Sequence, residues 1–188
     1  MHVLRVVRVL LLVLVAAVVV GAASSVLSAR PDLQKAKRDV DTSWSALSGP
    51  LSQRYLLLAD ANQKLQPIPG PIRGLVGDVG AALTNWRDVK EHGAVAAQVK
   101  AANNVEGLAR RLVATAAVSP RVQSNPDAQK ALVKFIGDAS RAGAVDFNKS
   151  VQSYEHERRG PVRAVVASVL GDGTIPALDT TETSVSAS

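Results

Sequence analysis

The side chains able to do chemistry are few and scattered along this chain. It has no cysteine, which removes thiol nucleophiles, Cys-ligated zinc and iron–sulfur centres together. His2, His92 and His156 lie far apart, and none forms an i, i+4 pair with a second ligand. A metal centre needs several converging donors, so these read as surface histidines. Glu155, His156 and Glu157 are adjacent, but consecutive residues of a helix project in different directions and make no site by themselves. The serines lie outside any nucleophile-elbow pattern, and there is neither a P-loop nor a GxGxxG. No catalytic, metal or cofactor residue is expected, and no enzyme.

Two polar residues carry more information. Arg54 sits beside Tyr55 in an apolar row. Either it pairs with a carboxylate across a bundle, with Asp146 one candidate, or its stem lies along the apolar face with its head in water. Asn148 follows Phe147 in a helical stretch. An asparagine there competes with the backbone for hydrogen bonds, so a polar contact fixing helix register is the first reading and a ligand-facing role the second. Trp44 and Trp86 read as core or bundle-edge anchors.

The elements that would position these residues are helices. Aromatics are only 3% of the chain, and its aliphatic residues fall at helical spacing, so the fold is expected to be all-α. Leu33, Val40, Trp44, Leu47, Leu51, Tyr55, Leu58 and Leu65 recur at gaps of three, four and seven, the seam of a long helix. Gly49-Pro50 should kink it. The run QPIPGPIRG at 66–74 reads as a loop, with Pro71 opening a second helix. Gly74, Gly77 and Gly80 on that helix suggest either close helix approach or, preferably, a weak helix. A break at His92-Gly93 precedes a third helix, which stops before Ser119-Pro120. Ser124-Asn125-Pro126-Asp127 is a helix start, and its seam runs on through Phe135, Ala139, Ala142, Phe147, Val151 and Tyr154 to Gly160-Pro161. A short helix, Val162 to Leu170, follows, then a disordered polar tail over 171–188.

The first 30 residues read as a membrane anchor. Residues 9–29 carry no charge, and at 1.5 Å per residue they make a helix of about 31 Å, the thickness of a bilayer's hydrocarbon core. A retained span fits better than a cleaved signal peptide, because the apolar run continues past what a leader needs. Both flanks are basic: Arg5 and Arg8 before, Arg30, Lys35, Lys37 and Arg38 after. The short amino-terminal flank resembles a signal anchor, which would leave residues 31–170 as a helical bundle outside the cytoplasm, whereas the four basic residues after the span argue for the opposite orientation. Net charge is +6, falling to +4 over residues 30–188. That suits a mixed-sign surface, with attraction to anionic lipid or wall polymer as the alternative, and the absence of a basic stripe disfavours nucleic acid.

The body resembles the LemA family of bacterial membrane proteins. Trp44, Leu47, Leu51, Arg54, Tyr55 and Leu58 look like the family's W-x-x-I-x-x-x-L-x-x-R-x-x-L-I stretch. Leu112, Pro120 and Asn125 are similar to its leucine run, tyrosine-proline and asparagine. Phe147-Asn148, Val151 and Tyr154 look like Y-N-x-x-V-x-x-Y-N, and Pro161, Ala167, Leu170 and Gly171 like its closing proline, alanine and leucine-glycine. The departures are Ala59-Asp60 for proline-asparagine, Ser119 for tyrosine, Glu155 for the second asparagine, and the Pro/Gly-rich segment within 66–92. The resemblance implies an elongated antiparallel bundle of about four long helices behind one membrane helix, with no established catalysis. The expected function is therefore a membrane-tethered scaffold of the cell envelope working through an unidentified protein partner.

Overall fold

The computed structural model describes residues 2–160, 163–164, 167–168 and 173–179, with side chains described from residue 31 onward. Among the described residues the helices are α1 (His2–Leu65), α2 (Ile72–His92), α3 (Val95–Ala117), α4 (Pro120–Gln123), α5 (Pro126–Ile136) and α6 (Ala144–Glu157), with 163–164 and 167–168 also helical. There is no strand among the described residues, and the chain is a helical bundle. Also among them, no helix is long and apolar enough to cross a membrane. The anchor expected over 9–29 lies outside the residues whose side chains are described, as do Pro161, Leu170, Gly171 and most of the expected helix from Val162.

Two compact units divide the chain: Val40–Gln152 with Ile175–Ser188, and Met1–Asp39 with Ser153–Thr174. In the second, Leu33, Ala36, Tyr154 and Ala167 are buried. Tyr154 donates its hydroxyl to the Gly173 carbonyl at 3.2 Å, and Arg158 lies over the Tyr154 ring while bonding Glu155.

The first unit is the bundle proper, and contacts fix its helix directions. Gly80 approaches Asn62, whereas Trp86, further along α2, meets Tyr55 and Trp44, so α2 runs antiparallel to α1. Gln98 of α3 bonds Trp44, while Ala102 and Glu106 meet Tyr55 and Arg54, so α3 runs parallel to α1. Gly143 touches Leu47 and Phe147 touches Trp44, which turns α6 back again. Five of the six aromatic residues of the chain are buried in this unit. Trp44 and Trp86 meet edge to face at 6.3 Å and Tyr55 and Trp86 at 5.2 Å, while Trp44 and Phe147 meet tilted at 5.0 Å. Such edge-directed ring pairs add roughly 0.5–1.5 kcal/mol each beyond the area they bury. The indole N–H of Trp44 is not orphaned: it donates to Gln98 Oε1 at 2.7 Å, and Gln98 Nε2 donates to the Gly93 carbonyl.

Every member of the expected α1 seam is buried. Helix α1 passes through Gly49-Pro50 without a break, and both residues are exposed, so water can serve the carbonyl that proline leaves free. Helix α2 begins at Ile72, within the stretch expected as loop, with Pro71 just before it in helical conformation. The turn after α2 requires glycine at 93, because a Cβ there would meet the Val89 carbonyl oxygen at 2.6 Å. Asn125 caps α5 by accepting from the Ala128 amide at 3.0 Å.

Two expectations are corrected. The single helix drawn from Pro126 to Arg159 is two, because α5 stops at Ile136 and α6 starts at Ala144. Asp138 Oδ1 takes both the amide and the hydroxyl of Ser140, a local turn that competes with helix, and Ala139 and Ala142 are left exposed. The tail expected to be disordered from 171 is fixed over 173–179, where Ile175 and Leu178 are 5% and 2% exposed; residues 180–188 lie outside the described set.

Of the α2 glycines, Gly80 lies against Asn62, whereas Gly74 and Gly77 serve no close approach. A Cβ at Gly74 or Gly77 would meet nothing within 4 Å, and both positions are exposed. Gly77→Ala should therefore raise the unfolding free energy by about 0.5–1 kcal/mol, and Gly74→Ala by up to as much, in urea denaturation. A loss of stability in either variant would mean that these positions face a neighbour after all.

Candidate functional site

The sequence places an arginine in the apolar row of α1, and the bundle closes over it. Arg54 is 2% exposed and its partner Glu106 is 0% exposed. Arg54 Nε donates to Glu106 Oε1 at 3.0 Å. Its Nη1 donates to the carbonyls of Phe135 at 2.9 Å and Asp138 at 3.3 Å. The guanidinium lies 4.1 Å from the Phe135 ring centroid. One planar cation thus serves a carboxylate on α3, two carbonyls released where α5 ends, and an aromatic face. A helix end leaves carbonyls without partners, and a cation there meets the negative end of the dipole. The α5–α6 break thus presents its carbonyls to the guanidinium. The other carboxylate oxygen of Glu106 faces Arg141 Nη1 at 3.6 Å.

Asp146, the partner considered for Arg54 from sequence, is 80% exposed beside Lys149. The alternative, a guanidinium in water, is likewise overturned. Tyr55 adjoins the pair and donates its hydroxyl to the Ala102 carbonyl at 3.3 Å. Burial, followed by the nearby Glu106 charge, pushes its phenol well above the ordinary 10.0.

A second polar constellation joins α3, α6 and residues 175–179. Asn148 Nδ2 donates to the Leu178 carbonyl, and the Leu178 amide donates to Asn148 Oδ1, both at 2.8 Å. Asn103 does the same one step out, giving to the Ala177 carbonyl and taking the Asp179 amide, again at 2.8 Å. Arg110 pairs with the Asp179 carboxylate, and Arg141 Nη2 donates to the Asp179 carbonyl at 2.9 Å. Arg141 therefore touches both constellations.

The residues singled out from sequence fall into three groups. Trp44, Arg54, Tyr55, Leu58, Phe147 and Val151 are buried in the Val40–Gln152 unit, and Asn148 is half-buried there. Tyr154 belongs to the other unit. Pro120 opens α4 on the surface, and Asn125 is a helix cap. His92 and His156 are exposed, and no group of three or more metal-ligating side chains occurs among the described residues. Sequence reasoning missed Glu106, Asn103 and Arg141. Glu106 had a signal: it occupies the seam position between Ala102 and Ala109 on the apolar face of α3. Asn103 and Arg141 had none: the partners of Asn103 are backbone atoms distant in sequence, and Arg141 joins the Asp179 carbonyl to the Glu106 carboxylate, both far along the chain.

Two outcomes follow. Arg54→Leu should cost about 3–5 kcal/mol in urea denaturation, because it removes the Nε donor to the buried Glu106 carboxylate and the guanidinium bonds to the Phe135 and Asp138 carbonyls, and Arg54→Lys should recover only part of that. A loss below about 1 kcal/mol would show that the pair is not sealed from water. The second concerns alkaline pH. Above about pH 10 the unfolded chain releases the Tyr55 proton while the folded chain keeps it, so stability present below pH 10 declines as pH rises toward the folded value. Tyr55→Phe should flatten this part of the stability profile relative to the parent; superimposable slopes would contradict the raised phenol.

Against family models, curated proteins and solved structures, the chain has no match.

Proposed function

We propose that the chain is a membrane-tethered helical interaction module of the bacterial cell envelope, a divergent relative of the LemA family, which acts by contact and not by catalysis. The observation that carries the reading is the use made of the polar side chains. Arg54, Glu106, Asn103 and Asn148 all hold the chain's own helices and backbone. The surface, by contrast, offers apolar relief: Val113, Ala116, Val122, Leu132, Val133 and Ile136 line a groove of about 200 Å³ between α3, α4 and α5. Support for the tether is the uncharged stretch 9–29 with its basic flanks. Support for the family is the row Trp44, Arg54, Tyr55 and the row Phe147, Asn148, Val151, Tyr154.

The test is purification of the detergent-solubilised full chain from envelope fractions across a salt series, alongside binding to phosphatidylglycerol vesicles. A discrete protein that stays bound at 0.5–1 M salt, where the Debye length is down to about 3–4 Å, supports the contact module. Vesicle binding through the basic surface that disappears between about 0.05 and 0.3 M salt, with no protein retained, would replace it with the anionic-ligand reading.

A further inference from the structure

We infer that the face between α3 and α6 is a binding groove for an extended peptide, which residues 175–179 occupy in cis and which a partner strand of the same chemistry takes in trans. That chemistry is an aliphatic residue, a second aliphatic three places on, and a carboxylate immediately after it, as in Ile175-Pro176-Ala177-Leu178-Asp179. The reading deepens the contact-module proposal and rests on it only for the existence of a partner.

The geometry is that of recognition. In an extended chain a residue's own N–H and C=O point to one side, and the preceding C=O and following N–H point to the other. Asn148 takes the first pair at Leu178, and Asn103 takes the second. Each amide presents one donor and one acceptor, so the two asparagines stand where neighbouring strands of a sheet would stand. Four main-chain bonds at 2.8 Å grip the segment without reading a side chain. Selection falls to three positions. Ile175 and Leu178 are buried, while Pro176 and Ala177 are exposed. The Asp179 carboxylate meets Arg110. Pro176 lacks an N–H, and its ring presets an extended φ.

The grip is also built to open. Asn103 and Asn148 are half-buried at the surface, so water can serve their amides when the segment leaves. Arg54 and Glu106, sealed inside, have no such option. The contacts uniting α1, α2 and α3 through Trp44, Tyr55, Trp86 and Gln98 include no residue of the segment. Occupation in cis acts as a competitor at high local concentration, which weakens the apparent affinity for any strand offered in trans.

The experiment uses the full chain and a fluorescent peptide of residues 173–181, followed by anisotropy. The parent chain should bind it weakly. Leu178→Asp in the chain, which loosens the cis segment, should tighten peptide binding by about ten-fold or more. Adding Asn103→Ala and Asn148→Ala should abolish that gain, and a peptide with leucine replaced by aspartate should not bind. Circular dichroism establishes that each variant is folded, and Ile175→Ser provides a milder loosening if Leu178→Asp is not. No saturable binding by a folded loosened variant, or binding indifferent to both asparagines, overturns the proposal. A concentration-dependent dimer of the parent that the peptide dissolves would assign the groove to a second copy and overturn the partner in trans. Failure to co-purify a protein from envelopes would count against the contact module while leaving peptide binding standing, so the two readings fail separately.

Discussion

A guanidinium removed from water must be fully served, and most of the bundle's arrangement answers to that constraint. Arg54 enters on α1 among aliphatic side chains, where no solvent reaches it. Glu106 has to arrive from α3 at the same level, and α5 has to end there so that the Phe135 carbonyl and that of Asp138 in the following turn are available. A buried ion pair is a poor source of net stability, since desolvation offsets most of the attraction. What it does instead is penalise alternatives. Sliding α1 by one turn against α3 would part the buried Arg54 from Glu106 and from both carbonyls, whereas the aliphatic seam alone tolerates such a slip far better.

The aromatic residues complete that specification. In an interior of alanine, valine and leucine, helices can approach at many registers, because the side chains are similar in shape. Trp44, Trp86, Tyr55 and Phe147 are large and orientation-dependent, and they interlock α1, α2 and α6 at one level. The tie from Trp44 through Gln98 to the Gly93 carbonyl adds the α2–α3 turn to the same assembly. A few polar and aromatic side chains thus set the register of a core that is otherwise plain.

What the sequence disclosed follows the range over which its signals act. The α1 seam was legible in full, because spacing along one helix needs no knowledge of partners. The helix start at Ser124-Asn125-Pro126-Asp127, though not which of its first two residues caps, and the break at Gly93 were legible because they are local. The α5–α6 break was not. Ala139 and Ala142 continue the periodicity, and the turn made by Asp138 and Ser140 overrides it. The Arg54 partner is Glu106 on the apolar face of α3 and not Asp146 on α6, and spacing along one helix cannot tell which facing helix supplies the carboxylate. Asn148 was recognised as unusual, but its contact is with the main chain of Leu178 and not with a facing helix. The ordered stretch 173–179 escaped because only two of its side chains are large and apolar, and its anchorage comes from backbone groups that composition cannot show.

The meeting of Trp44 with Trp86 has an optical consequence. These are the only two indoles of the chain, packed edge to face at 6.3 Å with Tyr55 against one of them. Chromophores that close and that fixed in angle couple their excited states, so the folded chain should carry a split dichroic band that neither indole has alone. Emission, excitation transfer and that band all originate at the junction of α1 with α2. The molecule therefore contains its own gauge of whether those two helices are docked, without any added label.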